Sequence, residues 1–140
     1  MQSPTPERQM RRWFEEVWNQ RRLELADELL APGAVLHDAT VSGETVAGAD
    51  AFRSHARALL AAIPDLHFEI EQVVADGDVA AGRMVVSGHL SGPGFGSISG
   101  MAMGRYRDGR LVEGWNNFDL LGLFRQIDAL KPPTPPLSED

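Results

Sequence analysis

The chain has 140 residues, a hydrophobic fraction of 43% and a formal net charge of −7. This length favours a single domain with a buried core, and the acidic balance argues against nucleic acid or an anionic membrane as partner. The absence of cysteine excludes disulfides, cysteine zinc sites and a thiol nucleophile. No apolar run approaches the ~20 residues of a membrane span, and MQSPTPER lacks the layout of a secretory signal. We therefore expect a soluble, cytoplasmic protein.

The first sixty residues carry helical patterns. Thr5, Pro6 and Glu7 supply a hydroxyl cap, a proline at the first helical position and an acid in the first turn. The apolar residues that follow recur at the spacing of one buried helix face: Met10, Trp13, Phe14, Val17 and Trp18. A second, short helical pattern over residues 25–30 ends at Pro32-Gly33. A third is capped by Asp50 and ends before Pro64.

Strand patterns dominate the second half. VLHDAT (residues 35–40) predicts a short strand and residues 43–48 a loop, and from Leu66 onward apolar and polar residues alternate. Asp76-Gly77 and Asp108-Gly109 are hairpin turns. They separate strands predicted at 66–75, 79–90, 98–107 and 111–119, with a glycine-rich connection at 91–97. An apolar helix over residues 120–130 and a disordered, proline-rich tail over 131–140 complete the chain. The order predicts an α+β fold with helices on one face of a curved, mostly antiparallel sheet.

The returning strand of the last hairpin carries the main functional hypothesis. Trp115, Asn117 and Asp119 alternate along it, so their side chains project from one face. An indole, an amide and a carboxylate together suggest a pocket wall, and Asp119 is the first candidate for chemistry. Two structural alternatives stay open, because Asp119 precedes LLGLFR and can cap that helix, or it can pair with an arginine.

Four strings in order resemble the SnoaL-like polyketide cyclase family of the nuclear transport factor 2-like superfamily. They are RRWFEEVWN, LLAPGAVLHD, IPDLHFEIEQVVADGDVAAGRMVVSGHLSG and YRDGRLVEGWNNFDLLGLFRQI. The resemblance implies a cone-shaped domain over residues 5–130 with a deep apolar pocket for a small, polyketide-like molecule. It also implies a homodimer formed through the sheet, and ring closure by aldol condensation with no metal or organic cofactor.

The resemblance places Asp119 where ring-closing members have their acid/base carboxylate. Such a base takes a proton next to a ketone and leaves an enolate that attacks a second carbonyl. Asn117 is the expected hydrogen-bond donor to a substrate carbonyl or to the enolate, with a satisfied buried amide as the alternative. Trp115 is expected to line the pocket. Phe14 and Trp18, from a helix where some members supply a tyrosine hydroxyl, are expected to make it more apolar.

Three further side chains are candidates for substrate binding. Arg83 lies on a strand of Val, Ala, Met and Gly, so it must reach a carboxylate, a ligand or solvent; it either faces the pocket or lies on the outer sheet face. His37 matches a position where many members carry histidine, and His89 ends a strand at the expected pocket mouth. No His, Asp or Glu cluster has metal spacing.

The first functional hypothesis is a cofactor-independent, polyketide cyclase-type enzyme that acts on an apolar carbonyl compound by acid/base catalysis. The second is another lyase, isomerase or epoxide hydrolase reaction that uses the same carboxylate. The epoxide reading is weakened because Val85 stands where epoxide-opening relatives have a second acid, two residues after the arginine. The third is a non-catalytic small-molecule binding or dimerisation module, since relatives on one fold differ in function.

Overall fold

The computed structural model describes residues 3–37, 45–89, 95–119 and 122. The helical segments are α1 (Pro6–Arg12), a π-helix (Trp13–Asn19), a 3-10 helix (Leu23–Leu25), α2 (Ala26–Leu29) and α3 (Ala49–Ala62). The strands are β1 (Leu30–His37), β2 (Val46–Ala47), β3 (His67–Asp76), β4 (Val79–His89), β5 (Phe95–Arg107) and β6 (Arg110–Phe118). Apart from Gly122, the predicted helix over 120–130 and the predicted tail over 131–140 lie outside these residues.

The strands form one sheet in the order β2-β1-β6-β5-β4-β3. The pairing of β1 with β6 is parallel, and the other pairs are antiparallel. The predicted α+β class, with N-terminal helices on a mostly antiparallel sheet, is confirmed. None of the helices in the described ranges has the length and apolar character needed to cross a bilayer.

The first helix begins as the sequence predicts. Thr5 accepts the backbone N–H of Arg8 at 3.2 Å, and Pro6 is the first helical residue. From Trp13 the segment continues as a π-helix, whose wider turn places its four buried residues on one side: Trp13, Phe14, Val17 and Trp18. Such π-segments are uncommon and often occur near functional sites.

Several predicted boundaries are wrong. The strand predicted from Val35 begins at Leu30, and the region predicted as loop contains the short strand β2. Gly48, and not Asp50, stands at the N-cap of α3; its φ of 87° suits glycine, and Asp50 instead forms an ion pair with Arg53. The strand β5 begins at Phe95, inside the predicted glycine-rich connection.

The two faces of the sheet have different environments. On the face that we call the inner face, the helices cover the sheet: the Phe14 and Phe68 rings are 5.1 Å apart, and Met84 of β4 is fully buried. On the opposite, outer face, large apolar side chains are exposed, with Met101 at 56% and Met103 at 42%. The core therefore lies between the helices and the inner face.

Candidate functional site

The strand β6 presents alternate residues to the two faces, and its pairing with β5 shows which residues go where. Asn116 pairs with Ala102, which is buried, whereas Asn117 pairs with the exposed Met101 and Trp115 with the exposed Met103. Directly paired residues lie on the same side of a sheet. Asn116 is therefore on the inner face, and Trp115 and Asn117 are on the outer face.

The glycines of the hairpin confirm this alternation. A Cβ atom on Gly100 would stand 2.0 Å from Cδ1 of Phe118, so the Phe118 ring lies directly over the β5 backbone on the inner face. A Cβ atom on Gly114 would stand 3.1 Å from Cδ2 of the buried Leu36. Gly114, Asn116 and Phe118 are thus the inner-face residues of this part of β6.

Trp115 belongs to a polar and aromatic cluster on the outer face. The His37 ring stacks on the indole at 5.4 Å, and the Arg105 guanidinium lies 5.6 Å from the ring centroid. Glu113 connects both partners, with 2.7 Å to His37 Nε2 and 3.1 Å to Arg105 Nη1. These contacts hold the indole against the sheet and account for a tryptophan outside the core.

The predicted pocket wall is therefore corrected in its position. Trp115 and Asn117 do share a face, as the alternation predicted, but it is the outer face, which points away from the helices. Asp119 lies one residue beyond β6, and its hydrogen bond to Ser99 continues the same register, so its position also falls on the outer side. His37, predicted to line the cone, lies on the same outer face, where it contacts Trp115. Whether any of these residues touches a substrate stays a prediction.

Arg83 and His89 also lie away from the inner face. Arg83 is 63% exposed and its Nε is 3.5 Å from Glu71, so the outer-face alternative is the one observed. The backbone N–H of His89 donates to Asp65 at 2.8 Å, and its ring Nδ1 is 2.6 Å from the other oxygen of the same carboxylate. The hydrogen bond from the His89 backbone, followed by that from its ring, lowers the pKa of Asp65.

Phe14 and Trp18 lie in the aromatic core between the helices and the inner face. They are 4% and 6% exposed. Both rings contact Phe68, Trp18 at 5.5 Å, and Phe68 in turn contacts Phe118 at 6.2 Å in an edge-on arrangement. His55 of α3 stands edge-on to Trp18 at 6.5 Å. Both side chains belong to the core, and their predicted place in a pocket wall stays a prediction.

Asp119 follows the last residue of β6. Its N–H donates to Ser99 at 3.2 Å, and its Oδ1 accepts the N–H of Gly122 at 2.9 Å. This second bond is the helix-cap geometry that the sequence left open as an alternative. The side chain is exposed. This cap uses one of the two carboxylate oxygens, and the catalytic role of Asp119 stays a prediction.

Asn116 is the inner-face residue that the sequence reasoning missed. Its neighbours Ala102 and Gly114 are buried, yet Asn116 and Phe118 keep part of their surface exposed. The α1 and π-helix segment packs on β3, β4 and β5, while α3 packs on β1 and β2. β6 itself is contacted by α2, and Asn116 nevertheless keeps part of its surface exposed. The signal available in the sequence was Phe118: an alternation counted back from this apolar residue places Asn116 on the inner face.

A groove lies at the opposite end of the last hairpin. An open groove of about 650 Å³ is lined there by Ala31, Pro32, Arg107, Asp108, Arg110 and Val112. The chain's only tyrosine, Tyr106, is close to this end and buried, and burial raises its pKa. Within the described ranges, no three His, Asp or Glu side chains are grouped as metal ligands would be.

Comparison with solved structures extends the fold assignment. IdmH from Streptomyces antibioticus, a proposed polyketide cyclase, is 26% identical with a TM-score of 0.78, over 89% of this chain and 99% of that one. TsrD from Streptomyces laurentii is 26% identical with a TM-score of 0.73, over 88% and 94%. A protein from Catenulispora acidiphila with a ketosteroid isomerase-like fold, solved with trimethylamine, is 20% identical with a TM-score of 0.79, over 92% and 100%.

The family comparison covers most of the sequence. No protein of curated function matches the chain. The family model described as SnoaL-like polyketide cyclase matches residues 8–127, which include every helix and strand described above except the first two residues of α1. The chain belongs to the SnoaL-like polyketide cyclase family.

Proposed function

We propose that this protein is a cofactor-independent, polyketide cyclase-type enzyme that acts on a small apolar carbonyl compound. The observation that carries the proposal is the end of β6, where Asn116 and Phe118 are partly exposed on the inner face and the exposed Asp119 is the next residue of the chain. Family membership supports the reaction class, and IdmH, its 26% identical relative, is itself a proposed polyketide cyclase. Apolar surface with a few polar groups is the usual lining of a small-molecule site.

Asp119 is the proposed general acid/base. Its carboxylate removes a proton from the carbon next to a substrate carbonyl, and the electrons of that C–H bond move into an enolate. The same carbon then forms a bond to a second carbonyl carbon of the substrate, whose oxygen takes the proton back from the carboxylic acid. Atoms and charge balance without any added reagent, and the carboxylate is regenerated.

Replacing Asp119 with asparagine tests this role while keeping the cap. Asparagine caps helices about as well as aspartate, so D119N retains an oxygen for the Gly122 N–H and loses only the ionisable group. We expect turnover of a panel of polyketide-like diketones, followed by liquid chromatography and mass spectrometry, to fall at least about 100-fold. The control is D76N, which changes an exposed aspartate at the end of β3. Turnover by D119N equal to that of wild type would show that Asp119 is not the general acid/base.

The mass of the product distinguishes the proposed aldol reaction from epoxide hydrolysis. An aldol product is an isomer of the substrate or has lost one water, whereas epoxide hydrolysis adds one water. A product of the latter kind would assign the same carboxylate to a different reaction.

A non-catalytic binding module is the second candidate function. The observation that favours it is the exposed Asp119 side chain, which already accepts the N–H of Gly122. This candidate predicts that wild-type protein binds the diketones but converts none of them, and that D119N binds them equally well.

We also propose that two copies associate through the outer face of the sheet. Met101 and Met103 are 56% and 42% exposed there, side by side with the partly exposed Trp115. Large apolar side chains grouped on one face often mark a protein interface. A homodimer of this kind leaves the inner face of each copy free for a small molecule.

A further inference from the structure

We propose that the groove at the turn of the last hairpin binds a small aliphatic monocarboxylate, whose charged end is held between Arg107 and Arg110. The groove lies at the opposite end of β6 from Asp119, roughly 25 Å away along the strand. The inference therefore goes beyond the proposed function and does not depend on it. Its basis is an open groove lined by two arginines without a carboxylate partner and by small apolar residues.

The groove exists because β1 leaves β6 for a few residues. Leu30 and Val35 pair with residues of β6 that are only two positions apart. Residues 31–34 therefore bulge away opposite Val112 alone, with Gly33 in the left-handed backbone region at a φ of 73°. The space between this bulge and the turn of the hairpin has a volume of about 650 Å³, which is enough for a small ligand.

The two arginines of the groove are placed unfavourably unless an anion joins them. Arg107 and Arg110 pair directly across the hairpin, and both line the groove. Like charges directly opposite each other in a sheet are destabilising. In the described part of the chain, no carboxylate forms an ion pair with either, whereas Arg105 is 3.1 Å from Glu113. An anion between the two guanidinium groups removes their repulsion.

The turn that carries the arginines is fixed by the N-terminal segment. Asp108 and Gly109 have φ values of 52° and 78°, the positive values that a type I′ turn requires. The buried Gln9 of α1 donates its amide N–H to the Gly109 carbonyl at 2.6 Å. Pro4 packs on the same glycine, where a Cβ atom would stand 2.9 Å from its Cδ. A site on a fixed turn loses less conformational freedom when a ligand binds.

The charges of the groove select a carboxylate over a phosphate. Arg107 and Arg110 bring two positive charges and Asp108 brings one negative charge, so a single negative charge neutralises the groove. A carboxylate carries that charge, and its two oxygens match the fork of a guanidinium group. The second charge of a phosphate dianion would lie close to Asp108 with no cation left to balance it.

The rest of the lining selects an aliphatic body for the ligand. Ala31, Pro32 and Val112 are apolar, and none of the residues that line the groove is aromatic. A nucleobase therefore finds no ring to stack on, whereas a short hydrocarbon chain can cover the apolar side chains and exclude water from them.

Hexanoate and hexanamide are matched probes of the site, because they have the same chain length and differ in charge. Each is titrated into the isotope-labelled full chain at constant ionic strength, and the shifts of the backbone amide and arginine Nε–H signals in NMR spectra give the Kd. Inorganic phosphate is the third probe. The proteins compared are wild type, R107Q, R110Q, D108N and R57Q. Arg57 is an exposed arginine of α3, so R57Q removes the same charge away from the groove.

We expect hexanoate to shift the signals of the turn and to bind at least about tenfold more tightly than hexanamide or phosphate. R107Q and R110Q should each weaken hexanoate binding at least about fivefold, and R57Q should change it by less than about twofold. D108N should tighten it about two- to threefold, because asparagine tolerates the positive φ and removes the opposing charge. Equal binding of hexanoate and hexanamide, tighter binding of phosphate, an equal loss in R57Q, or no gain in D108N overturns the inference.

Thermal unfolding gives a second, independent measurement. R107Q and R110Q each remove one of two like charges, so without ligand neither should melt below wild type. Hexanoate should raise the melting temperature of wild type and D108N but not that of the two arginine variants. A lower melting temperature in both arginine variants without ligand contradicts the unfavourable pairing on which the inference rests. None of these measurements uses turnover, so an inactive cyclase leaves the result intact, and an active cyclase without a hexanoate site rejects this inference alone.

Discussion

Asn19, at the end of the π-helix, holds the aromatic core in place through the backbone of β3. Its Nδ2 donates to the carbonyl of Phe68 at 2.8 Å, and its Oδ1 accepts the N–H of Phe68 at 2.8 Å. β3 is the last strand in the order of the sheet, so this amide serves as the partner that a further strand would provide. We expect Asn19→Ala to destabilise the fold.

The magnitude follows from the two bonds. Each contributes about 0.5–1.5 kcal/mol, and their loss leaves a partly buried N–H and carbonyl without their partner, so the free energy of unfolding should fall by about 2 kcal/mol. At about 4 °C per kcal/mol for a domain of this size, the melting temperature falls by about 8 °C. The control is Gln20→Ala, which changes the exposed neighbour and should shift it by less than about 2 °C.

Asn19→Asp sharpens the test because it keeps the shape and the acceptor and removes the donor. At neutral pH the introduced carboxylate faces the Phe68 carbonyl, so this variant should be at least as unstable as Asn19→Ala. Folding disfavours the charged form there, and the variant should recover stability as the carboxyl is protonated in mild acid. Thermal unfolding by circular dichroism at several pH values measures both effects. An Asn19→Ala melting temperature equal to wild type would refute the reasoning.

Two further predictions concern a loop contact and the outer face. Asp65→Asn should lower the free energy of unfolding at neutral pH, because the pKa of Asp65 is lowered by its hydrogen bonds from His89 and its ionised form therefore stabilises the fold. The difference from wild type should shrink below about pH 4, as the carboxylate is protonated. A pH-independent difference would contradict this prediction. Met101→Glu with Met103→Glu should halve the mass measured by light scattering, whereas Ala58→Glu on the exposed side of α3 should not; an unchanged mass in the double variant would reject the dimer face.

The elements of this fold could be predicted from the sequence because each depends on local chemistry. Thr5 and Pro6 begin the first helix as their side chains require, and apolar alternation locates the hairpins. What local chemistry could not show was the cap of α3. Gly48 occupies that position by virtue of its left-handed backbone, while Asp50 has a closer partner in Arg53. At this helix start the backbone conformation available to glycine, and not the capping preference of aspartate, determines the N-cap residue.

The candidate site was harder to predict because it depends on which face of β6 is covered. Alternation groups Trp115 with Asn117 correctly, but a two-residue period does not say which group is inside. The tryptophan suggested the wrong face, since its burial comes from His37 and Arg105, neither of which is close in sequence. Those contacts exist only once β1 and β5 flank β6. Phe118, which packs against the core, was the better indicator of which residues of β6 are on the inner face.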